Sequence, residues 1–310
     1  MVRYEPDVDL SGKTVIVTGA NIGIGLEVAR YFAKNKAHVV LACHNEKKAK
    51  DAIADIKSTT GSDNLEFREL DQSSFASVRA FAEKWTADNK GKIDILVDNA
   101  GVLGRGKRYL TDDGFEEMLQ VNHLGPFLLT NLLAPHFINN SGSRVVNTSS
   151  RAAKWGKLDY DNINYEKSHA DGQGYCNSKL YNVLFTKALA KRLDAVQSPT
   201  VTQVLHPGFV TTNIGANSTP LTKMVIAILR PLFSINSVEG AQTTIHCAVS
   251  KETGDKKLNG SYWDDSRIGK VNKLADDAEK VDKFWDWSVN AVGLKPEDVI
   301  GSSAQTTVAA

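Results

Sequence analysis

Short β-branched runs alternate with longer amphipathic stretches through the first two-thirds of the chain, the pattern of repeated βαβ units around a parallel sheet. The strands this predicts are TVIVT (14–18), HVVLAC (38–43), LEFREL (65–70), IDILVD (93–98), RVVNTS (144–149) and VTQVL (201–205). Most are apolar nearly throughout, as strands covered on both faces must be. Helices are expected near residues 24–34, 46–59, 74–89, 114–138 and 174–193. In VARYFAKNK, for instance, Val28, Ala29 and Phe32 share one stripe while Arg30, Lys34 and Lys36 turn elsewhere, as in a helix packed on a sheet.

No internal repeat, low-complexity block or linker interrupts this alternation. The expected class is therefore α/β, a single doubly wound domain over residues 1–310 with a parallel sheet of about seven strands flanked by helices. Gly260-Ser261-Tyr262-Trp263 reads as a last edge strand. Residues 276–290 read as a helix whose apolar face, Val281, Phe284, Trp285 and Val289, packs on the core or at a subunit contact.

Three segments leave the pattern. Arg151 to Gly172 is long, polar and rich in Gly, Asp and Asn, which predicts a surface loop with a local job. Residues 213–237 turn apolar, with Leu221, Met224, Val225, Ile226, Ile228, Leu229, Leu232 and Phe233, and residues 302–310 read as a frayed tail.

Composition narrows the class without naming a function. A chain of 310 residues that is 42% hydrophobic and 24% charged is neither disordered nor fibrous. Lys and Arg number 37 against 36 Asp and Glu, so a net charge of +1 offers no field for nucleic acid. Cys43, Cys176 and Cys247 are odd in number and widely spaced, which fits neither a disulfide framework nor zinc ligands and suggests a reducing compartment. The N-terminus carries no apolar leader, and the longest apolar run, Met224–Leu229, is too short to span a bilayer, so a cytoplasmic protein without a transmembrane anchor is expected.

TVIVTGANIGIG puts Gly19, Gly23 and Gly25, with Asn21, Ile22 and Ile24 between them, directly after the first strand and at the start of a helix. A dinucleotide pyrophosphate needs close backbone, outward N–H groups and the positive end of a helix dipole, and side chains would block that approach. The motif TGxxxGIG resembles the fingerprint of short-chain dehydrogenases/reductases, a family on the Rossmann fold. Further motifs follow in that family's order over roughly residues 11–265: Asp71 after the third strand, Asn99-Ala100-Gly101, and Asn122, Ser150, Tyr175 and Lys179.

The resemblance implies that Asp71 holds the adenine, that Asn122, Ser150, Tyr175 and Lys179 form a catalytic tetrad, and that Pro207, Gly208, Val210 and Thr212 of HPGFVTT lie near the nicotinamide carboxamide. Ser150 is preferred to Ser149 because the family's catalytic serine is the second of such a pair. The spacing of 25 from Ser150 to Tyr175 matches the longer spacing of retinol-dehydrogenase-like members. One departure is DNAG, where Asp98 replaces an amide; a buried carboxylate there needs partners or a raised pKa.

Tyr175 and Lys179 stand four residues apart on a predicted helix, so both side chains leave from one face. A carbonyl accepting hydride at carbon needs a proton at oxygen. Lowering a tyrosine from about 10 to about 7 takes roughly 4 kcal/mol of phenolate stabilisation, a job assigned here to the Lys179 ammonium beside an oxidised nicotinamide. Lys179 is also expected to bind the nicotinamide ribose, and Asn122 to hold a water that relays protons through Lys179.

At the end of the second strand, an acid favours a free ribose 2′-OH and a base favours a 2′-phosphate. Cys43 stands where the family's acid sits and His44 where the retinol-dehydrogenase-like branch has arginine. The missing acid and the neighbouring His44 favour NADP(H), with NAD(H) as the alternative.

The apolar segment occupies the position of the family's substrate lid and suggests a lipophilic alcohol or carbonyl compound. A buried helix, or a surface touching membrane or a partner through residues 221–233, would share that pattern. Monomer and homodimer both remain open. The expected activity is NADP(H)-dependent interconversion of a lipophilic alcohol and its aldehyde or ketone. The rivals are a non-catalytic cofactor-binding regulator or scaffold, and a lyase or epimerase acting on a nucleotide sugar.

Overall fold

A computed structural model describes residues 8–208 and 235–302. The alternating pattern becomes one sheet in the order β3-β2-β1-β4-β5-β6-β7-β8. Its strands are β1 (Thr14–Thr18), β2 (His38–Cys43), β3 (Leu65–Glu69), β4 (Ile95–Asp98), β5 (Arg144–Thr148), β6 (Val201–His206), β7 (Tyr262–Asp264) and β8 (Arg267–Ile268). The first seven are parallel and β8 is antiparallel to β7. The strand count thus exceeds the expected seven by the two residues of β8. The crossing from β3 back to β4 beside β1 places a topological switch point at the carboxyl ends of β1 and β4, where open α/β sheets open a ligand crevice.

Helices cover both faces: α1 (Gly23–Lys34), α2 (Glu46–Thr60), α3 (Phe75–Ala87), α4 (Glu117–Leu119), α5 (Gly125–Leu133), α6 (Asp171–Ala195), α7 (Ser237–Val249) and α8 (Ala278–Val292). On one face Ile16, Leu96 and Val145 pack with Phe127, Leu184, Phe185 and Trp285. On the other Val15, Val17 and Val39 pack with Val28, Phe32, Ile245 and Trp263. Trp285 is buried against Phe127 and Phe185, with the Arg192 guanidinium over its ring, so the apolar face of α8 belongs to the core.

Several predicted boundaries move, two of them near the site. The helix expected over 114–138 begins only at Glu117, because Gly114 sits in a left-handed turn (φ +83°). A π-helical turn over Gln120–Leu124 then joins α4 to α5, whose first turn takes Pro126. Ile93 and Asp94 stay outside β4, although the Asp94 backbone still bonds Thr14 and Arg144; its carboxylate accepts from the Lys13 ammonium and the Thr14 N–H.

The loop Arg151 to Gly172 is ordered, with short 3₁₀ turns at Arg151–Trp155 and Tyr160–Asn162, and its last two residues already belong to α6. The expected lid over 213–237, except its last three residues, lies outside the described residues, as do Val210, Thr212, the 221–233 surface and all but the first residue of the tail. No helix among the described residues is long and apolar enough to cross a membrane.

Candidate active site

The glycine-rich turn runs from β1 into α1. Gly19 and Gly23 adopt left-handed φ values of +65° and +62°. Gly25 has no room for a side chain, since a Cβ there would lie 2.5 Å from both the Asn99 amide nitrogen and the Gly19 carbonyl oxygen. Asn99 is held in that position by Thr18: its side-chain amide donates to the Thr18 carbonyl, and its backbone N–H and that of Ala100 donate to the Thr18 hydroxyl, all at 3.0 Å. The turns after β1 and β4 therefore lock together through Thr18.

The N-terminus of α1 has Ile22 as its cap residue, with no side-chain hydrogen bond to its free N–H groups and no acid in the first turn. Exposed backbone donors at the positive end of a helix, beside a backbone stripped of side chains, fit a pyrophosphate. Ile22 itself is 51% exposed, an apolar side chain at the rim of that cradle.

Cys43 ends β2 only 2% exposed, turned under the glycine-rich turn where the Ala20 and Asn21 N–H groups donate to its sulfur; burial pushes its pKa up to about 11. A neutral thiol thus fills the position of the family's acid, and His44 is the exposed side chain at the strand end. Asp71, past β3, is half-buried with one carboxylate oxygen accepting from the Ser73 N–H and hydroxyl at 2.9 and 2.6 Å.

The four expected catalytic side chains converge at the carboxyl ends of β4 and β5. Asn122 is fully buried inside the π-helical turn and clasps the loop after Gly101. Its carboxamide accepts from the Val102 N–H at 2.7 Å and donates to the Val102 carbonyl at 3.0 Å. The same amide donates to the Ser178 hydroxyl at 2.9 Å, which in turn donates to the Tyr175 carbonyl. The π-turn is what aims Asn122 inward, a use such turns often have at functional sites.

Lys179 is buried, and its ammonium donates to the Thr148 carbonyl at 3.2 Å. A Cβ on Gly101 would lie 3.1 Å from Asn122 Oδ1 and 3.2 Å from Lys179 Nζ, so the glycine of NAG admits both groups to one point. Burial pulls the Lys179 pKa down to about 8.

The Tyr175 hydroxyl pairs with Ser150. Burial raises the Tyr175 pKa and the Ser150 hydrogen bond opposes the rise. Lys179 is itself desolvated and directed onto a carbonyl, and Ser150 is the group that acts against burial at Tyr175. Of the two serines in NTSS, Ser149 is buried with its hydroxyl donating to the Lys179 carbonyl at 2.6 Å, a structural tie. Ser150 is left half-buried facing Tyr175, as chosen from the sequence.

Asp98 is buried with the Thr130 hydroxyl at 3.1 Å on one oxygen and no partner on the other, and burial raises its pKa to about 7. His206 ends β6 buried, held neutral by desolvation with a pKa near 4. Pro207 follows it, buried, and Gly208 sits at φ +94°, a conformation strained for any residue with a side chain.

Sequence reasoning missed Ser178, the bridge between Asn122 and Tyr175, and the bidentate pair of Arg151 with Asp264 at 2.7 and 2.9 Å, which ties the segment after Ser150 to the end of β7. Neither has a local signal, since each depends on elements far apart in sequence.

The family model described as short chain dehydrogenase matches residues 13–222. Retinol dehydrogenase 12 of Bos taurus is 39% identical over 294 residues, covering 94% of this chain and 90% of the relative. Retinol dehydrogenase 11 of Homo sapiens is 39% identical over 287 residues, covering 93% and 88%. Among solved structures, an uncharacterised protein from Mycobacterium paratuberculosis superposes with a TM-score of 0.74 at 29% identity, covering 93% of this chain and 96% of that one.

Proposed function

Since the chain belongs to the short-chain dehydrogenase/reductase family, in its retinol-dehydrogenase-like branch, we propose that it interconverts a lipophilic alcohol and its aldehyde or ketone by hydride transfer, with NADP(H) preferred. The observation that carries this reading is the Tyr175 hydroxyl paired with Ser150, one helical turn from Lys179, beside an uncapped glycine-rich helix start.

The glycine-rich turn and the N-terminus of α1 would hold the pyrophosphate, Asp71 the adenine, and Lys179 the nicotinamide ribose. When bound, the nicotinamide ring supplies or accepts the hydride at the substrate carbon. Ser150 donates a hydrogen bond to the substrate oxygen, and Tyr175 gives that oxygen its proton in the reducing direction and removes it in the oxidising one. Lys179 and Asn122 orient the groups through which that proton is replaced.

The preference for NADP(H) rests on the absence of a carboxylate at Cys43 and on the exposed His44 beside it. The lipophilic substrate rests on the apolar 213–237 segment and on the relatives named retinol dehydrogenase. A cytoplasmic site of action fits three free cysteines, two of them buried. A scaffold that only binds cofactor would have no use for a paired Tyr175 and Ser150.

Following the loss of NADPH and NADH absorbance with long-chain aldehydes, retinal and aromatic ketones tests the reading. Turnover with NADPH at a kcat/KM at least tenfold above NADH supports it. No turnover with any of these carbonyl compounds overturns the activity, and an NADH preference overturns the cofactor assignment.

A further inference from the structure

Four consecutive residues at the end of β5 are each held by α6. Along that helix Tyr175, Lys179, Asn182 and Thr186 are spaced i, i+4, i+7, i+11 and form one stripe. Asn147 donates to the Thr186 hydroxyl at 3.1 Å, and the Thr148 carbonyl accepts from the Asn182 amide at 3.0 Å as well as from Lys179 at 3.2 Å. The Ser149 hydroxyl donates to the Lys179 carbonyl, and Ser150 pairs with Tyr175. Thr186 closes the set by donating to the Asn182 carbonyl at 2.8 Å.

Stability alone does not account for Asn182. It is 5% exposed, its neighbours Leu180, Val183 and Leu184 are fully buried, and its own Oδ1 is buried with no protein partner. A buried amide with one end unpaired costs stability, and such costs collect at functional sites. The other end faces Thr148, and because a carbonyl only accepts, that end is the nitrogen. A carbonyl oxygen has two lone pairs, so Asn182 occupies one and leaves one for Lys179. The ammonium spends one of its three N–H groups on Thr148 and keeps two for the point beside Gly101 that Asn122 Oδ1 also approaches. No charged neighbour competes for it: Tyr175 on its own helix, Asp98 at the end of β4, His123 in the π-helical turn, Arg151 after Ser150 and His206 at the end of β6 leave its pKa alone, and burial by itself sets the shift.

We propose that Asn182 is a positioning residue of the active site: by holding one lone pair of the Thr148 carbonyl it fixes where the Lys179 ammonium docks, and with it the strand end that carries Ser150. It acts through Thr148 and Lys179, not on the substrate itself. This rests on the reading of the site as one for hydride transfer to a carbonyl compound. A neutral donor at 182 leaves the remaining N–H groups of Lys179 to the site, whereas a carboxylate there would accept from the ammonium and draw it away from Gly101.

The test uses the full chain and three variants, Asn182→Leu, Asn182→Asp and Thr186→Val, with decanal and NADPH as probes. Asn182→Leu, which keeps the bulk and removes the donor, should lower kcat about tenfold or more, with KM for decanal moving less than about threefold. Thr186→Val removes another tie between the same helix and strand without touching the Thr148 carbonyl, and should keep kcat within about twofold of the parent chain. Independently of turnover, the Lys179 pKa is read from the Cε resonance of 13C-labelled lysine, assigned by its loss in Lys179→Met. It should lie near 8 in the parent chain and in Thr186→Val, and rise by about one unit or more in Asn182→Asp. An unchanged kcat in Asn182→Leu, an equal loss in Thr186→Val, or an unmoved Lys179 pKa in Asn182→Asp overturns the proposal. If the parent chain does not reduce decanal, the functional reading fails while the lysine titration still decides whether Asn182 acts on Lys179.

Discussion

The Lys179 ammonium lies 5.8 Å from the centre of the Tyr175 ring and donates to the Thr148 carbonyl at the end of β5. Two residues one helical turn apart are thereby fixed to the strand that delivers Ser150, so the geometry of the site is set by α6 and β5 together. Lys179→Met removes the cation while keeping much of the bulk. The expected outcome is a fall in kcat of at least about a hundredfold and a higher KM for the cofactor. In the parent chain, activity should show a limb near pH 8, where the lysine loses its proton. Persistence of that limb in Lys179→Met would assign it to another group.

Asp98 carries a measurable cost. Its carboxyl in the folded chain releases its proton near 7 instead of the usual 3.8, so the folded state binds the proton more tightly than the unfolded one. The stability this contributes is full below about pH 4 and is lost as pH rises towards 7. Asp98→Asn should therefore gain stability relative to the parent chain across that window, by about 4 kcal/mol at most. Urea denaturation at pH 4.5 and pH 8 checks it: the difference between variant and parent must be more favourable to the variant at pH 8.

His123 works in the opposite sense. It is buried among Phe127, Tyr181, Phe185 and Phe284, with Ser288 at 2.9 Å on one ring nitrogen, and desolvation depresses its pKa to about 3. His206 is depressed to about 4. Neutral in the folded chain, both contribute stability that is full above about 6.5 and is lost as pH falls. Tm should hold above pH 7 and drop below pH 6. In His123→Phe the difference in stability from the parent should shift in the variant's favour by about 2 kcal/mol between pH 8 and pH 5.

Most of the fold was legible because burial on both sheet faces writes itself into β-branched runs; β1 and β2 begin and end where the pattern places them. β8 was not. Its hairpin turns through Asp265 and Ser266, both at positive φ, without the Asn-Gly or Asp-Gly pair that marks such turns. The helix α7 was passed over although Asn236 and Glu239 form a complete capping box, a signal present in the sequence.

The site was legible where chemistry demands fixed residue types at fixed spacing, as in the glycines, Asn122, Ser150, Tyr175 and Lys179. The burial of the Tyr175 hydroxyl was not, because desolvation depends on what the fold stacks above a side chain. Asn182 gave no signal either, since its partner is a backbone carbonyl on β5, 34 residues away in sequence.

The central claim is that the Tyr175 hydroxyl handles the proton at the substrate oxygen. Replacing it in Tyr175→Phe, and measuring kcat for carbonyl reduction alongside the dissociation constant for NADPH, tests this most directly. The account predicts a fall in kcat of about a thousandfold or more with cofactor binding within a few fold of the parent. A kcat equal to that of the parent would contradict it.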